Sequence, residues 1–232
     1  MRRFAVDAVA FDLDGTLVDT VGDLAHALNR TLAEDGLAAL PLATVRDLIG
    51  KGIRNLVARA YAIARGATPA GDEVGRIVAR HSAHYAATLG ERSSPYPGVV
   101  EGLARLREGG LPLAVVTNKA TRFVQPHLDR TAFADWFDAI VGGDDAAAKK
   151  PDAAPLALAA ARLGVDVRRV LMVGDSGNDV ACARAAGAPV VVVPYGYREG
   201  VSVQDLGADG IVESLDELPA WVAGRRAEPI PR

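Results

Sequence analysis

Two carboxylates, Asp12 and Asp14, stand two residues apart at the end of the apolar run Val9-Ala10-Phe11. Two such charges about 4 Å apart repel by roughly 4 kcal/mol at an effective dielectric near 20, so a cation or a proton must hold them together. An aspartate can act as a nucleophile and form an aspartyl-phosphate. A second carboxyl group nearby can protonate the leaving oxygen and then activate a water molecule. The pair therefore predicts nucleophilic chemistry at Asp12, assisted by Asp14.

The elements that must position this pair are alternating strands and helices. Short apolar or β-branched segments predict strands at residues 6–11, 113–116, 139–141, 170–173 and 190–193, with a last short strand near 211–212. Helical patterns lie between them at residues 99–108, 120–128, 154–163 and 178–186. Near-continuous apolar strands that alternate with helices predict a doubly wound α/β fold, in which helices cover both faces of a parallel sheet.

Polar residues follow the ends of several predicted strands, where ligands bind in open α/β sheets. Besides Asp12 and Asp14, these residues are Thr117-Asn118-Lys119, Lys149-Lys150 and the run Gly174-Asp175-Ser176-Gly177-Asn178-Asp179. Carboxylate oxygens suit a hard cation such as Mg²⁺, which would offset the repulsion between Asp12 and Asp175. Thr117 and Asn118 offer donors to phosphate oxygens, and Lys150 offers a point charge. Together they predict a site for phosphoryl transfer.

One connection is too long for an ordinary loop of such a fold. After the first strand the sequence has helical patterns at residues 21–34, 42–49, 53–65 and 72–89, separated by glycine and proline. We therefore predict a helical cap at residues 19–94, inserted into an α/β core formed by residues 1–18 and 95–232. Thr20, with Asp23 three residues later, predicts a capping box at the start of the first cap helix.

Composition excludes several other classes of protein. The chain has 232 residues and a net charge of −3, so it lacks the basic field expected of a nucleic-acid-binding protein. Apolar runs fall short of a membrane span, and Asp7 interrupts the segment that resembles a signal peptide. The single cysteine, Cys182, suits a reducing cytoplasm. We expect a cytoplasmic monomer or homodimer that acts on a small phosphorylated substrate and binds neither nucleic acid nor membrane.

Four motifs in the expected order resemble those of the haloacid dehalogenase superfamily. They are DxDGT at residues 12–16, an apolar strand ending in Thr at 115–117, a Lys-Pro pair at 150–151 and GDSxxD at 174–179. The helical insertion also matches the cap of that superfamily in place and length. The resemblance covers residues 6–218 and implies an Mg²⁺-dependent phosphohydrolase with an aspartyl-phosphate intermediate.

The same resemblance implies a role for each site residue. Asp12 would be the nucleophile and Asp14 the acid and base. Mg²⁺ would be held by Asp12, by the backbone carbonyl of Asp14 and by Asp175, with Asp179 and Ser176 as outer support. Thr117, Asn118 and Lys150 would bind phosphate. Lys119 fits an ordinary role at the start of a helix equally well, and Lys149 fits a solvated charge better than a ligand.

Within the superfamily the chain is similar to the bacterial phosphoglycolate phosphatases, at residues 142–144 and 193–198. This implies hydrolysis of 2-phosphoglycolate to glycolate and phosphate. The alternatives are a phosphatase for another small substrate, such as a sugar phosphate or pyrophosphate, a mutase resembling β-phosphoglucomutase, and a catalytically silent binding module. The two aspartates at 12 and 14 disfavour dehalogenases and phosphonate-cleaving relatives, because those replace the second one.

A glycine-rich turn in the cap offers a place for the substrate's carboxylate. Gly50, Lys51 and Gly52 precede a predicted helix, and Arg54 follows in its first turn. Exposed amides at a helix N-terminus bind anions. We therefore predict that the amides of this turn, with Lys51 or Arg54, bind the carboxylate. Many relatives have Asn at the position of Lys51, so this position departs from the pattern.

Overall fold

A six-stranded parallel sheet forms the centre of the computed structural model, which describes residues 3–223. Its strand order is β6-β5-β2-β7-β8-β9. These strands are β2 (Ala8–Phe11), β5 (Leu113–Val116), β6 (Ala139–Val141), β7 (Val170–Gly174), β8 (Val190–Val192) and β9 (Gly210–Ile211). All neighbouring pairs are parallel. The order reverses direction at β2, which confirms the predicted doubly wound fold.

Helices cover both faces of this sheet. They are α5 (Val99–Glu108), α6 (Val124–Leu128), α7 (Ala154–Leu163) and α8 (Gly177–Ala186). Alternate residues of each strand enter different cores: Phe11 and Val115 pack in the core beside α5, whereas Ala10 and Val116 pack against α7 and α8. Burial on both faces explains why the central strands are apolar without alternation.

A second set of helices lies between two short strands that pair antiparallel, β3 (Val18–Asp19) and β4 (Ser94–Pro95). These helices are α1 (Val21–Glu34), α2 (Leu42–Arg46), α3 (Ile53–Arg65) and α4 (Asp72–Ala87). Their apolar faces meet in a core of their own, which includes Leu28, Val57 and Tyr85. We refer to α1–α4 as the cap helices. The domain limits at 19 and 94 stay a prediction, and the outer limits at 1 and 232 lie outside the described residues.

Several predicted elements differ in detail. The strand predicted at 6–11 is two strands, β1 (Phe4–Ala5) and β2, and β1 pairs instead with β10 (Val222–Ala223). The strands separate because Asp7 between them turns to pair with Arg169, at 2.8 Å. The helix predicted at 42–49 ends at Arg46, and the helix predicted at 120–128 begins with a 3₁₀ turn.

The predicted capping box at Thr20 is wrong. Thr20 makes no side-chain capping hydrogen bond at the start of α1. The buried Asp23 carboxylate instead accepts hydrogen bonds from the backbone N–H groups of Gly90 and Arg92, each at 2.9 Å. Asp23 thus ties α1 to the chain that leaves α4. Among residues 3–223, none of the helices combines the length and apolar character that crossing a bilayer requires.

Candidate active site

Lys150 lies at the centre of a buried group of charges at the carboxyl ends of β2, β5 and β7. Its ammonium donates to the Asp12 carboxylate at 3.0 Å, to Asp179 Oδ1 at 2.6 Å and to the backbone carbonyl of Val116 at 2.7 Å. Its side chain is 1% exposed. The pKa of Lys150 is raised because, although burial alone would lower it, the two carboxylates favour the charged form.

Asp12, Asp175 and Asp179 bring carboxylate oxygens within 4.8 Å of one another. Asp179 is fully used within the protein, because its Oδ1 accepts from Lys150 and its Oδ2 accepts from the backbone and side chain of Ser176. Asp175 Oδ1 accepts from Thr16 Oγ1 at 2.9 Å. Its Oδ2 accepts from the backbone N–H of Tyr197 at 2.5 Å. Among residues 3–223, Asp12 Oδ2 is therefore the one carboxylate oxygen of these three residues that accepts no hydrogen bond.

Burial and mutual repulsion raise the pKa values of two members of this group. The pKa of Asp12 is raised to about 6, chiefly by burial and also by the neighbouring Asp179 and Asp14, against the opposing effect of Lys150. The pKa of Asp175 is raised by burial, by Asp179 and by Asp12. Both upward shifts show that burial and the neighbouring carboxylates together outweigh the positive charge of Lys150. Four carboxylates, including Asp14, face only two lysines here, so the donor set fits a divalent cation.

Asp14 points away from Lys150 to a different lysine. Its Oδ1 accepts from Lys119 Nζ at 2.8 Å, and the Lys119 side chain is 2% exposed. The ammonium of Lys119 also donates to the hydroxyl of Tyr85, which comes from α4. Burial is the largest single influence and raises the pKa of Asp14, but Lys119, His127 and Thr20 together lower it by more, so the net direction is downward. Asp14 is thus a charged carboxylate in this arrangement.

A cavity between the core and the cap helices opens onto these groups. The core contributes Asp12, Asp14, Thr117, Asn118 and Lys119, and the cap helices and their loops contribute Leu24, Ile49, Gly50, Gly52, Ile53, Leu56 and Tyr85. The core side is therefore polar, and the side chains of the cap are mostly apolar.

Asn118 joins the core to the cap. Its Nδ2 donates to the backbone carbonyl of Gly50 at 2.9 Å and to that of Lys150 at 3.0 Å. Thr117 is buried, and its Oγ1 accepts from the backbone N–H of Lys119 at 3.2 Å. Both residues border the cavity, where phosphate binding was predicted for them.

The predicted carboxylate-binding turn divides into two parts. Gly50 and Gly52 line the cavity and have φ values of 126° and 80°, a region that favours glycine. Lys51 does not line the cavity, because its ammonium pairs with Glu199 at 2.9 Å. Arg54 is exposed and also lies outside the cavity lining.

Sequence reasoning missed the contact between Lys119 and Asp14. The rarity of lysine was a signal for it. Only four of the 26 lysines and arginines are lysines, and one of them, Lys119, lies two residues after Thr117 at the end of a predicted strand. Tyr85 carried no such signal, because its hydroxyl reaches Lys119 only through the packing of α4.

Comparison with known proteins agrees with this geometry. Residues 9–193 match the family described as haloacid dehalogenase-like hydrolase. The chain belongs to this family. The matched residues run from β2 through the cap helices to the end of β8, so they include every site residue described above.

Members of the family with similar sequences include several phosphoglycolate phosphatases. The chain is 47% identical over 212 residues to a phosphoglycolate phosphatase of Nitrosospira multiformis, covering 91% of this chain and 93% of the other. It is 46% identical to a phosphoglycolate phosphatase of Cupriavidus necator, covering 96% and 95%. A crystal structure of a predicted phosphoglycolate phosphatase from Haemophilus somnus superposes with a TM-score of 0.87 at 33% identity, covering 92% and 96%.

Proposed function

We propose that this protein is an Mg²⁺-dependent phosphatase that hydrolyses 2-phosphoglycolate through an aspartyl-phosphate at Asp12. One observation supports this above the others. Asp12 Oδ1 is held by the backbone N–H of Leu13 at 2.7 Å and by Lys150 at 3.0 Å, and the residue borders the cavity. Within the described chain Oδ2 has no hydrogen-bond donor, so it is available to attack phosphorus.

The reaction would proceed in two steps at this carboxylate. Asp14, which is charged in the free protein, would take up a proton when the negatively charged substrate binds beside it. Asp12 Oδ2 then forms a bond to phosphorus, the ester P–O bond breaks, and Asp14 gives this proton to the leaving glycolate oxygen. Water then attacks the phosphorus of the aspartyl-phosphate while Asp14 takes up a proton, which releases phosphate and restores Asp12. Lys150 reduces the negative charge that accumulates around the phosphoryl oxygens. Thr117 would orient the phosphate through its hydroxyl, and Asn118 through its backbone N–H, because both hydrogens of the Asn118 side-chain amide are already donated.

Asp12, Asp175 and the backbone carbonyl of Asp14 would hold Mg²⁺. When bound, the cation would neutralise charge on the phosphate and on the two carboxylates. Asp179 and Ser176 would support this arrangement, because Asp179 fixes Lys150 through one oxygen and the start of α8 through the other.

The choice of 2-phosphoglycolate rests on the names of the relatives. The amides of Gly50 and Gly52 stay candidates for contact with the carboxylate. A phosphatase of a sugar phosphate or of pyrophosphate, and a mutase resembling β-phosphoglucomutase, are the alternatives. Cytoplasmic location and a monomeric or homodimeric state also stay predictions.

A panel of phosphate compounds tests this proposal. We would measure kcat/KM for 2-phosphoglycolate, glucose 6-phosphate, pyrophosphate and p-nitrophenyl phosphate with Mg²⁺, then after EDTA, then with Mg²⁺ restored. We expect 2-phosphoglycolate to rank first, EDTA to abolish turnover and Mg²⁺ to restore it. If 2-phosphoglycolate ranked well below another compound, the proposed substrate would be wrong. If EDTA had no effect, the proposed metal dependence would be wrong.

A further inference from the structure

The substrate proposed above carries a carboxylate, and the cations near the cavity limit where it can bind. Lys51 is paired with Glu199, and Arg54 is exposed outside the cavity lining. The cap side chains at the cavity are apolar, apart from the hydroxyl of Tyr85. Among the described residues that line the cavity, Lys119 is the one cation. A substrate carboxylate enclosed there without a cation would be strongly disfavoured.

The ammonium of Lys119 is fixed but not saturated. An ammonium has three N–H donors. In the described part of the chain its oxygen partners are Asp14, at 2.8 Å, and the hydroxyl of Tyr85. The ammonium also lies 4.8 Å from the centre of the Tyr85 ring. One donor is therefore left for a ligand in the cavity.

The chemistry of the substrate places its carboxylate beside Asp14. In 2-phosphoglycolate a single methylene carbon separates the carboxylate from the ester oxygen. The group that protonates this oxygen must lie within hydrogen-bond reach of it, so the carboxylate comes close to Asp14 as well. A cation that already contacts Asp14 is in position to contact the second carboxylate and to reduce their repulsion.

We propose that Lys119, fixed by Asp14 and by Tyr85 of the cap, binds the carboxylate of the substrate and determines the preference for carboxylated phosphomonoesters. This inference rests on the proposed function. Lys119, and not Lys51 or Arg54, is then the source of positive charge for the carboxylate. Because Tyr85 belongs to α4, the carboxylate site is complete only when α4 packs against the core as it does here.

A ratio of two substrates tests the role of Lys119. We would measure kcat/KM for 2-phosphoglycolate and for 2-hydroxyethyl phosphate, in which a neutral hydroxymethyl group replaces the carboxylate. Any effect of Lys119 on proton transfer by Asp14 acts on both substrates and cancels in the ratio. In Lys119→Met we expect the ratio to fall roughly 10- to 100-fold, the effect of losing a hydrogen bond to a charged group. In Lys51→Met and Arg54→Met we expect it to stay within about twofold of the wild-type ratio.

A second variant covers the case in which Lys119→Met does not fold. Tyr85→Phe removes only the hydroxyl and keeps the ring, and we expect the ratio to fall about threefold or more. Tyr61→Phe is the matched control, because Tyr61 is another buried cap tyrosine whose hydroxyl instead contacts Asp35, at 2.6 Å. It should keep the wild-type ratio.

The possible outcomes separate the inference from the proposed function. A wild-type ratio near one would contradict 2-phosphoglycolate as the substrate and the inference with it. A wild-type enzyme that prefers 2-phosphoglycolate, with the ratio unchanged in Lys119→Met or, if that variant is unfolded, in Tyr85→Phe, would overturn the inference alone. A fall of the ratio in Lys51→Met or Arg54→Met without one in Lys119→Met would also overturn it.

Discussion

At the scale of single residues, two buried lysines determine how the acidic groups of the site are arranged. Lys150 contacts Asp12 and Asp179, and Lys119 contacts Asp14. Removing one partner of a buried ion pair leaves an uncompensated charge, at a typical cost of about 3–5 kcal/mol. The lysines therefore hold the nucleophile and the proposed acid in separate orientations.

A buried histidine in the cap should make stability depend on pH. His81 on α4 is fully buried, and burial lowers its pKa to about 4 from an ordinary value of 6.5. Below pH 6.5 the unfolded chain takes up a proton that the folded protein refuses until about pH 4. Stability is thus full above pH 6.5 and falls as the pH drops towards 4, by about 3 kcal/mol for this group.

Urea unfolding between pH 7.5 and pH 4.5 measures this effect. We expect His81→Phe to reduce the loss of stability over that range, with part of the loss remaining because burial also lowers the pKa of His127 to about 4. His26→Phe, the same substitution on α1, controls for the replacement of an imidazole ring by a phenyl ring. A His81→Phe variant with the wild-type pH dependence would show that His81 does not cause the effect.

The residues that follow strand ends could be predicted, whereas their partners could not. Asp12, Thr117 and Asp175 follow apolar strands, and the parallel sheet brings those ends to one edge. The contact of Lys119 with Asp14 could not be predicted, because a lysine at this position could equally have been an ordinary residue at the start of a helix. Its role depends on Tyr85, which is distant in sequence and arrives through the packing of α4. Long-range side-chain contacts of this kind leave no local pattern.

Among the helices, two glycines differ in whether the surrounding structure has room for a side chain. A Cβ atom added at Gly102 of α5 would collide with the backbone carbonyl of Leu215 in the 3₁₀ segment Leu215–Ala220. A Cβ atom added at Gly75 of α4 would have no neighbour within 4 Å. Gly102 allows the close approach of two elements, whereas Gly75 only weakens its helix.

The same substitution should therefore have opposite signs at the two positions. We expect Gly102→Ala to destabilise the protein by about 1–3 kcal/mol through overpacking. Gly75→Ala should stabilise it by up to about 1 kcal/mol, because alanine is the better helix former. Urea unfolding of both variants measures this. Equal effects at the two sites would mean that the packing of α5 does not require glycine.

Hydrophobic periodicity predicted the central residues of the helices and strands, but it did not predict where several of them end. The helix predicted at 42–49 stops at Arg46, and the box predicted at Thr20 does not form. Asp23 has the type and spacing of a capping residue, yet its carboxylate binds the backbone near Gly90. Competition between a local and a distant partner is decided by tertiary packing, which spacing alone does not reveal.

At the scale of the whole molecule, ion pairs join the cap helices to the core beside the cavity. Glu199 of the core pairs with Lys51 at 2.9 Å and with Arg59 of α3 at 3.3 Å. Asn118 adds a hydrogen bond to the carbonyl of Gly50. These contacts favour the arrangement in which the cavity is covered, and closure of this kind excludes water from a reaction.

Salt should weaken this closure in the wild-type protein. We expect Glu199→Gln to lower kcat/KM about two- to fivefold at low ionic strength, since partly exposed pairs have modest energies. Sodium chloride at about 0.5 M should bring the wild-type value down to that of the variant. Glu73→Gln breaks a pair that lies within the cap, with Arg65, and should keep the wild-type salt dependence. Identical salt dependence in Glu199→Gln and wild type would contradict a role in closure.

If Asp12 takes up the phosphoryl group, replacing it with asparagine should stop the reaction at its first step. Asp12→Asn keeps the shape of the side chain but removes the nucleophilic oxygen. We expect turnover of 2-phosphoglycolate and of p-nitrophenyl phosphate to fall by at least about 10³-fold, with an unchanged circular dichroism spectrum. Asp205→Asn, at an exposed position, should keep full activity. Release of phosphate by folded Asp12→Asn at the wild-type rate would contradict nucleophilic catalysis by Asp12.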